Sequence, residues 1–394
     1  MYRFSQSVHS MQSSAVRELM KLAADPNIIS FTGGMPNADL FPIREVDAIY
    51  SSLTVKSKQD AFQYGPTPGY PPLLESLGEY LRARKLPVDE NSLIITTGSL
   101  QDIALAAKVF IDPGDVIVTE NPCFVGAITA FKSCQAELNG VAMDGEGIRV
   151  LDLEKALSRL PAPKLLYLTP YFHNPAGILY SASRKRDVLD MLKNRNTVLV
   201  EDDPYGELYF DEKDRPRTVP MKAAADPSLP ICYTGSFSKI FGPGMRLGWL
   251  LGPRDIVAKC ELAKQGADAC SSTFTQVLAD AFLRGNHLPG YLARLREAYG
   301  RRAAVMLESL EKHMPGGVKW SVPRGGFYIW VGLPAGQDAS DLLEKSIRKG
   351  AAFVIGRAFD PAGRKNDCLR LSFAHTPEGR IGEGIEKIAQ AMAD

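Results

Sequence analysis

No run of about 18 consecutive apolar residues occurs anywhere in the chain, so the sequence lacks the ordinary signal for a membrane-spanning helix. The opening stretch Met1–Ser14 lacks the apolar core of a secretory leader, and the expectation is a cytoplasmic protein with no membrane partner. Neither sign of charge is in excess. Lys plus Arg number 46 against 45 Asp plus Glu, which leaves no electrostatic reason to expect nucleic acid as a partner. The six cysteines are scattered without CxxC spacing, which argues against a zinc site and against a dense disulfide framework, and no other metal site is expected. Tandem repeats and low-complexity tracts are absent too, excluding solenoids and long disordered linkers.

What is present is a strand and helix alternation. Short apolar runs recur at Leu93–Thr96, Val116–Thr119, Leu165–Thr169, Val198–Glu201, Ile231–Thr234 and Leu247–Leu251, separated by longer helix-like stretches. This pattern predicts an α/β fold whose mostly parallel sheet is covered on both faces. In such sheets ligands collect at the carboxyl ends of strands, so the segments that end these runs are the ones to read for chemistry. Farther on, Leu292, Leu295, Tyr299, Ala303, Met306 and Leu310 fall at three- and four-residue steps, predicting a long amphipathic helix that joins two domains. Alternating stretches at Trp320–Leu333 and Cys368–Phe373, closed by a helix over Pro377–Met392, predict a small α+β unit. A chain of 394 residues suits this division: a large domain over 46–285 and a small one formed by 1–45 and 286–394.

Six strand-end segments carry polar groups suited to catalysis. Thr234-Gly-Ser-Phe-Ser-Lys239 follows an apolar run, with Arg246 seven residues beyond the lysine. A partly desolvated lysine near cations has a lowered pKa and can supply the neutral amine that condenses with an aldehyde, while Ser236 and Arg246 suit a phosphate. Alone, the hexapeptide also admits an exposed turn with a solvated lysine. Glu201-Asp-Asp-Pro-Tyr-Gly-Glu207 sets Asp202 and Tyr205 at another strand end: a carboxylate to keep a pyridine nitrogen protonated and a phenol to bond a ring oxygen, or else a polar turn. The loop Pro170–Gly177 offers the amide of Asn174 to the same oxygen, though a structural turn explains it as well. In Thr96-Thr-Gly-Ser-Leu-Gln101 a helix starts just after glycine, and Gly98, Ser99 and Leu100 form a candidate phosphate cradle of backbone N–H groups. Phe124 could stack on a flat ring or simply belong to the core. Arg370 alternates with Leu369 and Leu371, so it either forks a carboxylate inside the fold or faces solvent from an edge strand.

Together, and in this order, these segments resemble the fold type I pyridoxal 5'-phosphate (PLP) aminotransferases of the class I/II group, from about residue 14 to the C-terminus. Ser14-Ala-Val-Arg17, Ile29–Pro36, Tyr64-Gly-Pro-Thr-Pro-Gly69 and Asp-Asp-Pro-Tyr-Gly are similar to the branch containing kynurenine and 2-aminoadipate aminotransferases. The resemblance implies a seven-stranded, mostly parallel sheet in the large domain. It implies Lys239 as Schiff-base lysine and proton shuttle, Asp202 as pyridinium partner, Asn174 and Tyr205 as ligands of the phenolic oxygen, and Phe124 as stacking residue. Gly98, Ser99, Leu100, Ser236 and Arg246 correspond to phosphate positions, and Arg370 to the clamp for the substrate α-carboxylate, with Asn174 beside it. Gly34 corresponds to the substrate-side loop. Tyr64 corresponds to a tyrosine reaching the neighbouring subunit's phosphate, which implies a homodimer with shared sites. Arg17 is an open case: either it meets a distal substrate carboxylate or it is a solvated helix residue. His173 and Ala176 depart from the usual Gln and Thr, Leu100 from a common Gln, Phe124 from a common Tyr, and Ile355 from a usual Pro.

The implied activity is ping-pong transfer of an α-amino group from an amino acid to a 2-oxo acid, 2-oxoglutarate being the expected acceptor and 2-aminoadipate, aromatic or branched-chain amino acids the expected donors. Two rivals share the cofactor grip. One is a cysteine-conjugate β-lyase; the other is a PLP-sensing regulatory module, which the lack of a basic helix-turn-helix ahead of the fold disfavours.

Overall fold

The computed structural model describes residues 2–9 and 25–394, so Arg17 lies outside the described residues. After β1 (Ile29–Ser30), eight strands follow between residues 92 and 252: β2 (Ser92–Thr96), β3 (Val116–Asn121), β4 (Glu137–Asp144), β5 (Gly147–Ile148), β6 (Leu165–Leu168), β7 (Val198–Asp203), β8 (Ile231–Ser236) and β9 (Gly248–Gly252). They form one sheet in the order β2-β9-β8-β7-β6-β3-β4-β5. From β8 across to β4 neighbouring strands are parallel, whereas β9 is antiparallel to both β8 and β2. The eighth strand is β5, a two-residue hairpin return on β4 that extends the expected seven-stranded sheet at one edge. Every residue of β6, β7, β8 and β9 is buried, as expected where helices cover both faces.

The long helix His287–His313 buries Leu288, Leu292, Leu295, Tyr299, Ala303, Met306 and Leu310 on one side. Through this face a single hydrophobic core runs from Leu77 and Phe241 under the large sheet to Leu371 and Ile385. Beyond it, β10 (Lys319–Trp320), β11 (Tyr328–Gly332), β13 (Val354–Ile355) and β14 (Cys368–Ser372) form an antiparallel sheet in the order β10-β11-β14-β13. The parallel pair of β1 with β12 (Ala351–Ala352) ties residues 29 and 30 to this second unit. Among the described residues no helix is long and apolar enough to cross a membrane.

Candidate active site

The carboxyl ends of β6, β7 and β8 open onto a cavity of about 310 Å³, at the small end of the usual range for ligand sites, roughly 300–1,000 Å³. Gly34, Gly98, Ser99, Leu100, Phe124, Asn174, Asp202, Tyr205, Ser236, Lys239, Arg246 and Arg370 all line it. Tyr64 does not: its side chain is 86 % exposed on the outside of the subunit.

Asp202 closes the buried end of β7. Its Oδ2 accepts from the Tyr167 hydroxyl at 2.7 Å and its Oδ1 from Thr234 Oγ1 at 2.9 Å. Burial pushes this carboxyl up to about 6, and the two hydroxyl donors pull the other way. A cationic partner is therefore what this carboxylate needs to stay ionised. Lys239, just past β8, is half-buried against the Gly34 loop, and its Nζ donates to the Gly34 carbonyl at 2.8 Å. Burial first, then the charges of Arg370 and Arg246, lower its pKa to about 8. A lysine so placed carries an appreciable fraction of neutral, nucleophilic amine near neutral pH.

The phosphate-type groups converge at the opposite end. Gly98 precedes the helix Ser99–Phe110, whose first N–H groups have no intrahelical acceptor. Gly98 holds a φ of +93°, and an added Cβ there would lie 2.9 Å from Arg246 Nη2, so both backbone and space require glycine. Arg246 is itself left-handed at φ +48°, and its Nη2 donates to the Thr97 carbonyl at 3.0 Å while its Nη1 lies 3.4 Å from Ser238 Oγ. Ser236 Oγ accepts from Ser238 N at 3.1 Å.

Arg370 sits in β14 between β11 and β13, so it is neither at an edge nor in solvent. Its Nη1 donates to Asn174 Oδ1 at 3.0 Å and its Nη2 to the Thr32 carbonyl at 2.6 Å. The bond from Arg370 leaves the Asn174 NH₂ as the donor available to the cavity. The Arg370 guanidinium packs 4.5 Å from the Tyr328 ring centroid and 4.9 Å from that of Phe359. Its Nε is buried without an acceptor among the described residues, a donor left over for an anion. Burial lowers the Arg370 pKa from its ordinary value.

Sequence reasoning missed three members of this site. Tyr328 lines the cavity and meets the Tyr205 hydroxyl at 2.9 Å, and a Cβ on Gly34 would lie 2.4 Å from its oxygen. Tyr167 and Thr234, which hold Asp202, lie inside apolar strands, and the polar atom at a strand position facing the site was their signal.

A deep carboxylate needing a cationic ring nitrogen, a partly desolvated amine at the centre, an anion cradle at a helix start and a second arginine for a carboxylate define a site for an aromatic aldehyde phosphate. That is the site of a PLP enzyme. The sequence profile described as "Aminotransferase class I and II" matches residues 37–388, and the chain belongs to that family. It is 37 % identical to "Aromatic-amino-acid aminotransferase 1" of Thermococcus litoralis over 99 % of this chain and 94 % of that one. It is 35 % identical to "2-aminoadipate transaminase" of Thermus thermophilus, covering 99 % and 96 %. Among solved structures, a kynurenine aminotransferase from Pyrococcus horikoshii in complex with PMP superposes with a TM-score of 0.95 at 38 % identity, over 99 % of this chain and 96 % of that one. The chain is thus a PLP-dependent amino acid aminotransferase of fold type I, acting on amino and 2-oxo acids.

Proposed function

We propose that the protein transfers the amino group of aromatic L-amino acids to 2-oxoglutarate, with Lys239 as the residue that both holds the cofactor and moves the proton. The observation that carries this reading is the convergence of Lys239, Asp202, the Gly98 turn and Arg370 on one cavity. PLP, when bound, supplies the aldehyde that carries the amino group and a protonated ring that withdraws charge from the substrate α-carbon.

Around it, Asp202 would hold the ring nitrogen protonated, Asn174 and Tyr205 would donate to the ring oxygen, Phe124 would pack against the ring, and Ser99 and Leu100 N–H, Ser236 and Arg246 would hold the phosphate. Arg370 would fork the α-carboxylate of either substrate and so orient its α-carbon toward Lys239, which lines the same cavity. Lys239 Nζ then removes the α-proton of the donor and, in the reverse half of the cycle, returns one to the α-carbon of the acceptor. Aromatic donors are favoured because Met35, Leu100, Val125 and Tyr328 give the rest of the cavity an apolar wall, and because two similar proteins are named for aromatic amino acids and kynurenine.

The working unit in this reading is a homodimer. Exposed Val55, Phe62 and Tyr64 form an apolar surface, with the Phe62 and Tyr50 rings leaning on Phe274. Tyr64 would reach the partner's phosphate from there. The division at 46–285, with the remainder as a small domain, belongs to the same proposal.

A panel of amino donors with 2-oxoglutarate tests the activity. Aromatic donors should give the highest kcat/KM, with oxo-acid formation dependent on the acceptor. A preference for 2-aminoadipate would overturn the donor, and pyruvate release from cysteine conjugates without acceptor would point to β-elimination.

A further inference from the structure

The turn that presents the phosphate cradle is gripped by a residue with no place on the cavity wall. Asp268 ends the helix Arg254–Asp268. Its Oδ2 accepts from Thr97 Oγ1 at 3.1 Å and from Gln101 Nε2 at 2.8 Å, and its Oδ1 accepts from the fully buried Lys264 at 2.8 Å. Gln101 Oε1 in turn accepts from Thr97 N at 2.7 Å. With Arg246 on the Thr97 carbonyl, all three polar groups of Thr97 are held, one residue before Gly98. Asp268, Thr97 and Gln101 are all absent from the lining of the cavity.

The backbone after Asp268 is bent to serve this arrangement. Ala269 has φ +59° and ψ −55°, and Cys270 N donates to the Asp268 carbonyl at 2.6 Å, a three-residue turn that non-glycine residues rarely adopt. The turn also brings Ser271 Oγ to 3.3 Å from Thr97 Oγ1. Burial pushes the Asp268 carboxyl up, but the donors from Lys264, Gln101 and Thr97 outweigh it and the group stays below its ordinary value.

We propose that Asp268 is a positioning residue for the cofactor phosphate: acting through Thr97 and Gln101, its carboxylate fixes the turn Gly98–Leu100 and so the direction of the helix-start N–H groups. This rests on the placement of the phosphate at that turn. Several charge-assisted hydrogen bonds depend on one backbone direction, so a small displacement weakens all of them together while leaving the contacts to the pyridine ring untouched.

The test compares PLP with pyridoxal, which lacks the phosphate. Replacing Asp268 alone would leave Lys264 as a buried unpaired charge, so the primary variant is the double change Thr97→Val with Gln101→Met, which cuts the link and keeps the ion pair. Equilibrium dialysis of the cofactor-free protein should show the Kd for PLP raised by about tenfold or more, with the Kd for pyridoxal unchanged within about twofold. Asp268→Asn, checked for folding by its thermal midpoint, should show the same phosphate-specific loss. Parallel loss of both ligands, or loss of neither, overturns the proposal. Wild-type protein that binds pyridoxal as tightly as PLP would instead refute the phosphate placement, and this inference with it.

Discussion

The hydroxyls of Tyr205 and Tyr328 meet at 2.9 Å, one carried by the loop after β7 and the other by β11 of the second sheet. The two rings cross at 87° with centroids 5.8 Å apart, and the Arg370 guanidinium lies on the face of the Tyr328 ring. One side chain thus links the phenol assigned to the cofactor oxygen with the arginine assigned to the substrate carboxylate.

Tyr328→Phe removes the hydroxyl paired with Tyr205 and keeps the ring beneath Arg370. In the proposed reading Tyr205 would then donate less strongly to the cofactor's ring oxygen. The pH midpoint of the bound cofactor's absorbance should rise by about half a unit, equivalent to roughly 0.7 kcal/mol. Stability should fall by about 1 kcal/mol, the net worth of a typical hydrogen bond, in a urea titration.

Asp202 makes the cofactor-free protein sensitive to pH. Its folded pKa, about 6, lies above the ordinary 3.8, so the protonated form is the one that folding favours. The contribution is fully present below about pH 4 and is lost as pH rises toward 6, to a total of about 3 kcal/mol at most. Urea midpoints of the cofactor-free protein should fall across that window, and Asp202→Asn should flatten the slope. If Asp202 faces the ring nitrogen as proposed, the same variant should lower kcat by roughly 10²–10³.

Arg370→Lys keeps a positive charge and loses the fork. Its buried site, with bonds to Asn174 and the Thr32 carbonyl, is shaped for a planar guanidinium. Steady-state kinetics should show kcat/KM reduced by about 10²-fold, or roughly 2.7 kcal/mol, for every amino donor and for the oxo acid alike. A loss confined to one donor would assign Arg370 to the side chain of the substrate instead.

The lowered pKa of Lys239, about 8, sets how the cofactor-free protein reloads. Only the neutral amine attacks an aldehyde, so the rate of reconstitution with PLP should rise with pH and level off above about 8. Stopped-flow absorbance between pH 6 and about 9.5 measures this; an ordinary solvated lysine would still be gaining rate near 10.

The strands that place the site were legible because their Val, Ile and Leu runs are buried on both faces and stop at polar residues, as at Val198–Asp203. Lys239, Asp202, Asn174, Arg246 and Arg370 were legible because each follows such a run or interrupts it. Glu137–Asp144 was missed because its alternation is broken by Asn139 and Gly140, and its flanks are partly open. Tyr167 and Tyr328 were not singled out, since their polar atoms stand in apolar strands where only the strand's facing, not its composition, marks them. Asp268 was invisible for a different reason: its partners Thr97 and Gln101 lie far away in sequence, and only the packing of two helices brings them together. The side chain of Tyr64, exposed on a single subunit, gains a role only if a partner covers it.

The central claim is that Lys239 is the lysine that holds the cofactor, and borohydride reduction of the holoenzyme followed by peptide mapping tests it most directly. The account predicts a pyridoxyl group on the peptide containing Lys239, and a Lys239→Ala protein that takes up no label and does not turn over. Label on a different lysine, or an alanine variant with wild-type turnover, would contradict it.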